Sequence, residues 1–160
     1  MEKQYFEKEK FDYTVITLAS HRKSLMDHIE MDQPEEDEIE ELNLKLKALE
    51  KVSSFLGEDA VMFYSVSMSY PENVKEMIES MFNGELKYND DLIGYEPSES
   101  VKKVDSLEIP MYYSETVDFY KSEEGNKFVA WSWNEGTDWY CSKRLLEKKV
   151  AQQGISLSLM

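Results

Sequence analysis

The sequence contains a single cysteine, Cys141, and only two histidines, His21 and His28. One cysteine excludes an internal disulfide bond, and the spacing of these three residues matches no zinc motif. The longest apolar run, residues 60–64, is far too short to span a bilayer, and the N-terminus lacks the apolar segment of a signal peptide. We therefore expect a protein of the reducing cytoplasm that uses no metal ion or other cofactor.

Basic residues are also scarce, with 18 Lys and Arg against 33 Asp and Glu, so the formal net charge is −15. This charge would repel DNA, RNA and anionic membranes, and it favours a basic protein surface as the partner. The chain is not a disordered acidic tail, because 41% of its residues are hydrophobic and 12% are aromatic. We expect residues 1–160 to form a single domain, since a chain of this length can bury its own core.

The shortage of basic residues is most severe in residues 27–41, which contain no Lys or Arg and the following nine acids: Asp27, Glu30, Asp32, Glu35, Glu36, Asp37, Glu38, Glu40 and Glu41. On a helix these charges would recur about every 2.5 Å, near the roughly 1.7 Å per charge of duplex DNA, so mimicry of a nucleic acid is dimensionally feasible. A solvated helix face is the simpler interpretation, because acids near a helix N-terminus complement its dipole. The surplus that local structure does not require, and that we predict to contact the partner, is Glu36, Asp37, Glu38, Glu40 and Glu41.

The N-terminal third of the chain is predicted to be helical. Apolar residues at helical spacing indicate a first helix over residues 12–30 and a second, acidic helix over residues 33–56. A capping box formed by Asp32 and Glu35 would begin the second helix, and Gly57 would end it. Because the connection between the helices is short, we predict an antiparallel αα hairpin.

The middle of the chain changes from regular to irregular patterns. Residues 61–70 alternate apolar and polar side chains, which indicates a strand with one buried face. Residues 71–82 have the apolar spacing of a third helix. Residues 85–106 are polar and rich in turn-forming residues, so we predict a mobile loop region with one short strand near residues 86–88.

The C-terminal part is predicted to be an antiparallel β-meander followed by a helix. Three strands are indicated over residues 111–121, 127–133 and 138–141, separated by two short turns. Ser142 is placed to cap a last helix through Gln153. The predicted fold class is α+β: an N-terminal αα hairpin, a strand and a third helix, then the meander and the C-terminal helix, with a single layer of sheet covered by helices.

Trp131, Trp133 and Trp139 flank the last turn of the meander. Trp131 and Trp133 are two residues apart and share one face of a strand, and we expect Trp139 to pack across from them. Such a cluster is usually core, but an exposed cluster would be a protein-binding hot spot. The three tryptophans are therefore predicted as partner-binding residues alongside the acids, with core packing as the alternative.

Ser142, Lys143 and Arg144 lie where a strand is predicted to enter a helix N-terminus. Free backbone N–H groups and two cations at such a site can hold a phosphate or carboxylate group. The alternative is an ion pair with one of the protein's own acids, which would explain why cations stand where they oppose the helix dipole. We retain these three residues as a candidate anion-binding site.

The sequence supports three hypotheses for function. The first is a non-enzymatic cytosolic protein that binds and inhibits a basic nucleic-acid-processing enzyme or nuclease toxin, as phage-type inhibitors and immunity proteins do. The second is a small enzyme with a site near His21 and His28 or near residues 142–144, although no catalytic motif accompanies them. The third is a self-assembling structural subunit that buries the apolar stripe of the second helix and the tryptophan hairpin against copies of itself; monomer and homodimer both remain open.

Overall fold

The computed structural model describes residues 16–31, 35–65, 78, 80–82, 84–89, 94–110, 114–134 and 136–152. Its helices are α1 (Leu18–Met31), α2 (Glu36–Leu56) and α3 (Lys143–Gln152). Its strands are β1 (Ile16–Thr17), β2 (Val61–Ser65), β3 (Leu86–Asn89), β4 (Gly94–Pro97), β5 (Val101–Ile109), β6 (Glu115–Ser122), β7 (Lys127–Trp133) and β8 (Gly136–Cys141). The predicted α+β class is confirmed.

One antiparallel sheet organises these elements, with strand order β1-β2-β8-β7-β6-β5, and β3 pairs with β4 in a separate hairpin. The predicted meander is confirmed as β6, β7 and β8, and β7 has the predicted bounds. The turn between β6 and β7 contains Gly125 at φ 90°, a backbone conformation that favours glycine. Short turns therefore place three sequential strands side by side.

Both faces of the sheet are covered. One face packs against α2, in a cluster that we call the α2-side core: Ala48, Leu49, Val52, Leu56, Ala60, Met62, Ile109, Val117, Phe119, Val129, Trp131 and Tyr140. The opposite face packs against α3, the β3–β4 hairpin and residues 78–82, in the α3-side core that includes Phe63, Phe82, Leu86, Tyr95, Phe128, Trp139 and Leu146. Successive strand residues point to opposite faces, so every central strand contributes to both cores.

Helix α2 ends as predicted and begins later than predicted. Gly57, at φ 109°, follows its last residue, and the Gly57 N–H donates to the Ser53 carbonyl at 2.8 Å. The N-cap is Glu35, whose side chain makes no capping hydrogen bond, and Asp32, the predicted cap, lies outside the described residues. Residue spacing alone does not determine where the first turn closes; here Ile39 N–H donates to the Glu35 carbonyl at 3.0 Å.

The helical hairpin is confirmed, with a correction to its first helix. Arg22, early in α1, lies 3.7 Å from Glu50, late in α2, so the two helices run antiparallel. Helix α1 begins at Leu18 rather than at residue 12, because Ile16 and Thr17 form β1 and pair with β2. Both are β-branched, which favours strand over helix.

Strand β2 differs from the prediction of one buried face. Val61, Phe63 and Tyr64 are buried in the α3-side core and Met62 in the α2-side core. The reason is position, since β2 lies between β1 and β8 in a sheet that is covered on both sides. Residues 66–70 lie outside the described residues, and so does most of the predicted third helix. Of that predicted helix, residues 78 and 80–82 are described, and residues 78, 80 and 81 are helical.

The predicted short strand near residues 86–88 is confirmed as β3, but the prediction of loop over the rest of residues 85–106 is wrong, because β4 and the start of β5 also lie there. Leu86 and Tyr95 are buried in the α3-side core, which secures the β3–β4 hairpin. β5 is an edge strand in which residues 102–106 are all exposed, and charged edge strands resemble loops in sequence. The mobility of the segment stays a prediction.

The described helices include none with both the length and the apolar character needed to cross a membrane.

Candidate functional site

The turn of the helical hairpin gathers acidic side chains at one end of the molecule. Because α1 and α2 are antiparallel, the C-terminus of α1 and the N-terminus of α2 lie at the same end. The exposed carboxylates of this region, which we call the acidic end, are Asp27, Glu30, Glu35, Glu36, Glu38 and Glu40. No Lys or Arg occurs anywhere in residues 27–41. A negative field therefore extends from this end into solvent.

The predicted partner-binding acids differ in their accessibility. Glu36, Glu38 and Glu40 are exposed, and within the part of the chain that the structure describes none of them forms an ion pair. Glu41 is half-buried, because it lies at the edge of the helix face that packs on the sheet, one turn before Lys45. The side chain of Asp37 lies outside the described residues. Three of the five acids are thus available to a partner.

The three tryptophans do not form the predicted cluster. In the register of the last hairpin, Trp139 lies opposite Ala130, and Trp131 lies opposite Asp138. Trp131 and Trp139 consequently point to opposite faces, and they are 5% and 1% exposed in the α2-side and α3-side cores. Both are core residues, which is the alternative that the sequence left open, and their part in binding a partner stays a prediction. Trp133 is half-buried, on the same face as Trp131.

A groove of about 210 Å³ opens beside Trp133 on the α2 side of the sheet. It lies where the ends of three strands meet both helices of the hairpin. We call it the tryptophan groove, and the described residues that line it are Leu25, Lys45, Glu115, Trp131, Trp133, Asp138 and Tyr140. Sequence analysis identified only its two tryptophans. Its other lining residues are distant from them in the sequence, and no spacing rule connects them.

Two polar contacts inside the tryptophan groove hold the carboxylate of Glu115 in place. The Trp131 Nε1–H donates to Glu115 Oε1 at 2.6 Å, and Lys45 Nζ lies 3.6 Å from Glu115 Oε2. Burial raises the pKa of the Tyr140 phenol, and the carboxylates of Asp138 and Glu115 raise it further. The phenol therefore stays protonated and neutral at physiological pH, and among the described lining residues the charged ones are Lys45, Glu115 and Asp138.

The three residues of the candidate anion site at the start of α3 make different contacts in the structure. Ser142 is the predicted helix cap: its Oγ accepts from the Leu145 N–H at 3.1 Å, which confirms that prediction. Lys143 Nζ lies 3.9 Å from Glu147 within α3, as the alternative interpretation expected. Arg144 instead lines a groove of about 380 Å³ together with Phe55, Lys127 and Lys148. Anion binding at this place stays a prediction.

Loss of the α3 cap gives a measurable stability effect. Replacing Ser142 with alanine is expected to lower the free energy of unfolding by about 1 kcal/mol, because the Leu145 N–H loses its acceptor. Urea denaturation followed by circular dichroism measures the change. Aspartate, an equally good capping residue, should preserve most of the stability in a Ser142→Asp control; equal losses in the two variants would contradict the capping role.

The histidine site predicted as an enzymatic alternative lies only partly within the described residues. His28 is exposed on α1, whereas the side chain of His21 lies outside the described residues. Among the described residues, no group of three or more His, Cys, Asp and Glu side chains is arranged to hold a metal ion. These observations provide no catalytic constellation on which an activity can be argued.

The single thiol is expected to be inert in the folded protein. Cys141 is 0% exposed at the end of β8, and burial raises the pKa of its thiol. Because the thiolate is the reactive form, an aromatic disulfide reagent at about pH 8 should label no thiol in the native protein and one per chain in denaturant. Rapid stoichiometric labelling of the native protein would contradict the buried position of Cys141.

Comparison with known proteins finds no matching family model, curated protein or solved structure. Function must therefore be inferred from the groups that this chain itself presents. The acidic end, the tryptophan groove and the cation-lined groove at Arg144 are the three candidates. Of these, the acidic end combines the largest number of exposed charges of one sign with the absence of any ion pair to another described residue.

Proposed function

We propose that this protein binds a basic protein in the cytosol through its acidic end and inhibits it. The observation that supports the proposal is the set of six exposed carboxylates at the hairpin turn, in a stretch of sequence without Lys or Arg. Charge complementarity of this kind accelerates association and selects partners of opposite sign. It also excludes nucleic acids and anionic membranes as direct ligands.

Local stability explains only part of this arrangement, because the helix dipole favours acids in the first turn of α2 and its effect falls off beyond that turn, where Glu40 lies. Glu36 and Glu40 are four residues apart on α2, and like charges at this spacing destabilise a helix by about 0.2–0.5 kcal/mol per pair. Elsewhere on the described surface, several acids form ion pairs, as Asp105 does with Lys51 at 2.7 Å. The exposed carboxylates of the acidic end form no ion pair with another described residue, which favours a role that requires the repulsion to be kept.

A nucleic-acid-processing enzyme or a nuclease toxin is the partner class that best fits this surface. Such proteins present cationic surfaces that are matched to phosphate groups, and an acidic helix placed on that surface would exclude the nucleic acid. Inhibition then follows from competition, and it requires no chemistry on the part of this protein. A phage-type inhibitor, an immunity protein or a DNA mimic would each act in this way.

The self-assembly hypothesis loses the surface on which it was based. The apolar stripe of α2 includes Leu42, Leu49 and Leu56, which are 9%, 1% and 7% exposed, and it packs against the chain's own sheet. Trp131 and Trp139 are likewise buried within the chain. The number of protomers is still open, but this stripe is not available to bind another copy.

A pull-down with three matched baits tests the proposal. The baits are the wild type, the acidic-end variant Glu36→Lys/Glu38→Lys/Glu40→Lys, and a control variant Glu99→Lys/Glu123→Lys/Glu124→Lys. All six positions are exposed, and the two variants have the same net charge. We expect a basic nucleic-acid enzyme or toxin to be captured from a lysate of the source organism by the wild type and the control only, and its activity to fall when purified wild-type protein is added. Equal capture by all three baits, or a captured partner whose activity is unchanged, would contradict the proposal.

A further inference from the structure

The cation-lined groove at the C-terminal end of α2 has the chemistry of a site for a multiply charged anion. We propose that it binds an oligophosphate group, which is a chain of two or more linked phosphates, either free or carried by a nucleotide. This inference goes beyond the proposed function and does not rest on it, because the acidic end lies at the N-terminal end of the same helix. It is carried by the donors that line the groove, by the lack of acidic partners for its cations, and by a row of lysines beside it.

The described residues that line the groove supply hydrogen-bond donors and no carboxylate: Phe55, Leu56, Gly125, Asn126, Lys127, Ser142, Arg144, Leu145 and Lys148. Ser142 Oγ accepts from the Leu145 N–H and still carries an O–H that can donate. Asn126 Nδ2 donates to the Glu85 carboxylate at 2.8 Å, which uses one of its two N–H groups and holds the amide in place. Glu85 is itself paired with Lys149 at 3.0 Å, so its charge is compensated within the chain. Together with the three cations, these donors favour a ligand that has several acceptor oxygens and several negative charges.

The three cations of the groove have no acidic partner among the described residues. Lys127, Arg144 and Lys148 take part in none of the described ion pairs, although acids outnumber bases by 33 to 18 in the chain. Arg144 and Lys148 are four residues apart on α3, and like charges at this spacing destabilise a helix. Lys127 Nζ lies 5.1 Å from the centre of the Phe55 ring, a contact that orients the ammonium group without neutralising it. The dipole of α2 adds only about half a negative charge at its C-terminus, so most of the positive charge is available to a ligand.

A row of three lysines crosses the sheet and ends at the groove. Lys102 on β5 lies opposite Lys121 on β6, and Lys121 lies opposite Lys127 on β7. Directly opposed side chains share one face of a sheet, and like charges in such pairs are destabilising. Neighbouring strands are about 4.8 Å apart, so the row extends the positive charge by about 10 Å from Lys127. This length favours a chain of phosphates over a single phosphate group.

The net charge of −15 does not prevent a small anion from binding at this place. Helix α2 has 21 residues, so its ends are about 30 Å apart, which is more than three Debye lengths of about 8 Å at physiological salt. The field of the acidic end is therefore screened at the groove. Glu123 and Glu124, in the adjoining turn, are exposed to water and do not line the groove. Its volume of about 380 Å³ lies within the range of about 300–1,000 Å³ that is typical of small-molecule sites.

Titration calorimetry of the full-length protein with a series of anions tests the proposal. The probes are tripolyphosphate, pyrophosphate, ATP, inorganic phosphate and tricarballylate, in a buffer free of phosphate and divalent cations at about 50 mM salt. We expect one saturable site per chain for tripolyphosphate, and binding of inorganic phosphate that is at least about tenfold weaker because it makes fewer charged contacts. ATP bound more tightly than tripolyphosphate identifies a nucleotide as the ligand, and the reverse order identifies the free chain. Absence of a saturable site, or tighter binding of tricarballylate than of tripolyphosphate, would overturn the proposal.

Two variants with the same loss of charge separate the groove from a general attraction of anions. Arg144→Gln/Lys148→Gln removes two cations of the groove and should weaken tripolyphosphate binding about 100-fold, because each charge-assisted contact contributes about tenfold. The control Lys47→Gln/Lys87→Gln removes two exposed lysines that do not line the groove, and it should change the affinity by less than about threefold. Equal losses in the two variants would indicate an adventitious ion only and would overturn the proposal.

A third variant tests the contribution of the lysine row. Lys102→Gln/Lys121→Gln should weaken tripolyphosphate binding about tenfold and pyrophosphate binding by less than about threefold, because only the longer chain extends from the groove along the row. All the substituted positions are exposed, and circular dichroism confirms that each variant is folded before its affinity is compared. Unchanged binding of tripolyphosphate, or an equal loss for pyrophosphate, would overturn the assignment of the groove to a chain of phosphates.

Discussion

Replacing Lys149 with methionine is expected to lower the free energy of unfolding by about 3 kcal/mol, the low end of the range for breaking a buried ion pair. Lys149 Nζ lies 3.0 Å from Glu85 Oε1, and the two side chains are 14% and 8% exposed. The other oxygen of Glu85 accepts from Asn126 Nδ2 at 2.8 Å. The pair thus connects α3, the segment before β3 and the turn between β6 and β7, and methionine would leave the Glu85 carboxylate buried with only the amide.

Urea denaturation of a small set of variants checks this stability effect. The double variant Glu85→Gln/Lys149→Met should recover much of the loss, because no uncompensated charge then stays buried. The control is Lys143→Met, which removes the exposed Lys143–Glu147 pair and should change stability by less than about 0.5 kcal/mol. Similar losses in Lys149→Met and Lys143→Met would show that the buried pair contributes no more than a surface pair.

Reversing the charge of Glu36, Glu38 and Glu40 is expected to weaken binding of the purified partner at least 100-fold, or more than about 2.7 kcal/mol, at low salt. Three attractive contacts become repulsive, and the exposed positions leave the core unchanged. Titration calorimetry with the wild type and the variant measures the loss. Lysine near the N-terminus of α2 opposes the helix dipole, so circular dichroism must first confirm that the variant is folded.

The control for this experiment carries the same change in charge at a different place. Glu99, Glu123 and Glu124 are exposed and lie just before β5 and just after β6. The turn after β6 adjoins the C-terminal end of α2, at Phe55 and Leu56, rather than its acidic N-terminal end. Their replacement by lysine should weaken binding by less than about threefold, because only the general field of the protein changes. Equal losses in the two triple variants would mean that net charge, rather than the acidic end, determines the affinity.

The parts of the fold that sequence predicts well are those determined by local patterns. β7 has the predicted bounds because its residues form an apolar run between two turns, and Gly57 ends α2 because glycine adopts the positive φ that follows a helix. The exposure of Glu36, Glu38 and Glu40 follows from the apolar stripe of the same helix. In each case the residues adjacent in the sequence are sufficient to predict the structure.

The parts that sequence misses depend on neighbours in space. The opposite orientations of Trp131 and Trp139 follow from the register of one hairpin, which differs by one residue from a register that would have joined them. β5 is polar because it is an edge strand, and the two buried faces of β2 come from its central place in the sheet. The tryptophan groove also depends on neighbours in space, because Lys45, Glu115 and Asp138 are distant in the sequence and come together only in the folded chain.

The salt dependence of binding tests the central claim most directly. The measurement is the dissociation constant of the purified partner between about 50 and about 200 mM salt, for the wild type, the acidic-end variant and the control variant. An electrostatic interface at the acidic end predicts that the affinities of the wild type and the control fall about tenfold or more over this range, and that any residual binding of the acidic-end variant hardly changes. Salt-insensitive binding of the wild type, or an unchanged affinity of the acidic-end variant, would contradict the claim.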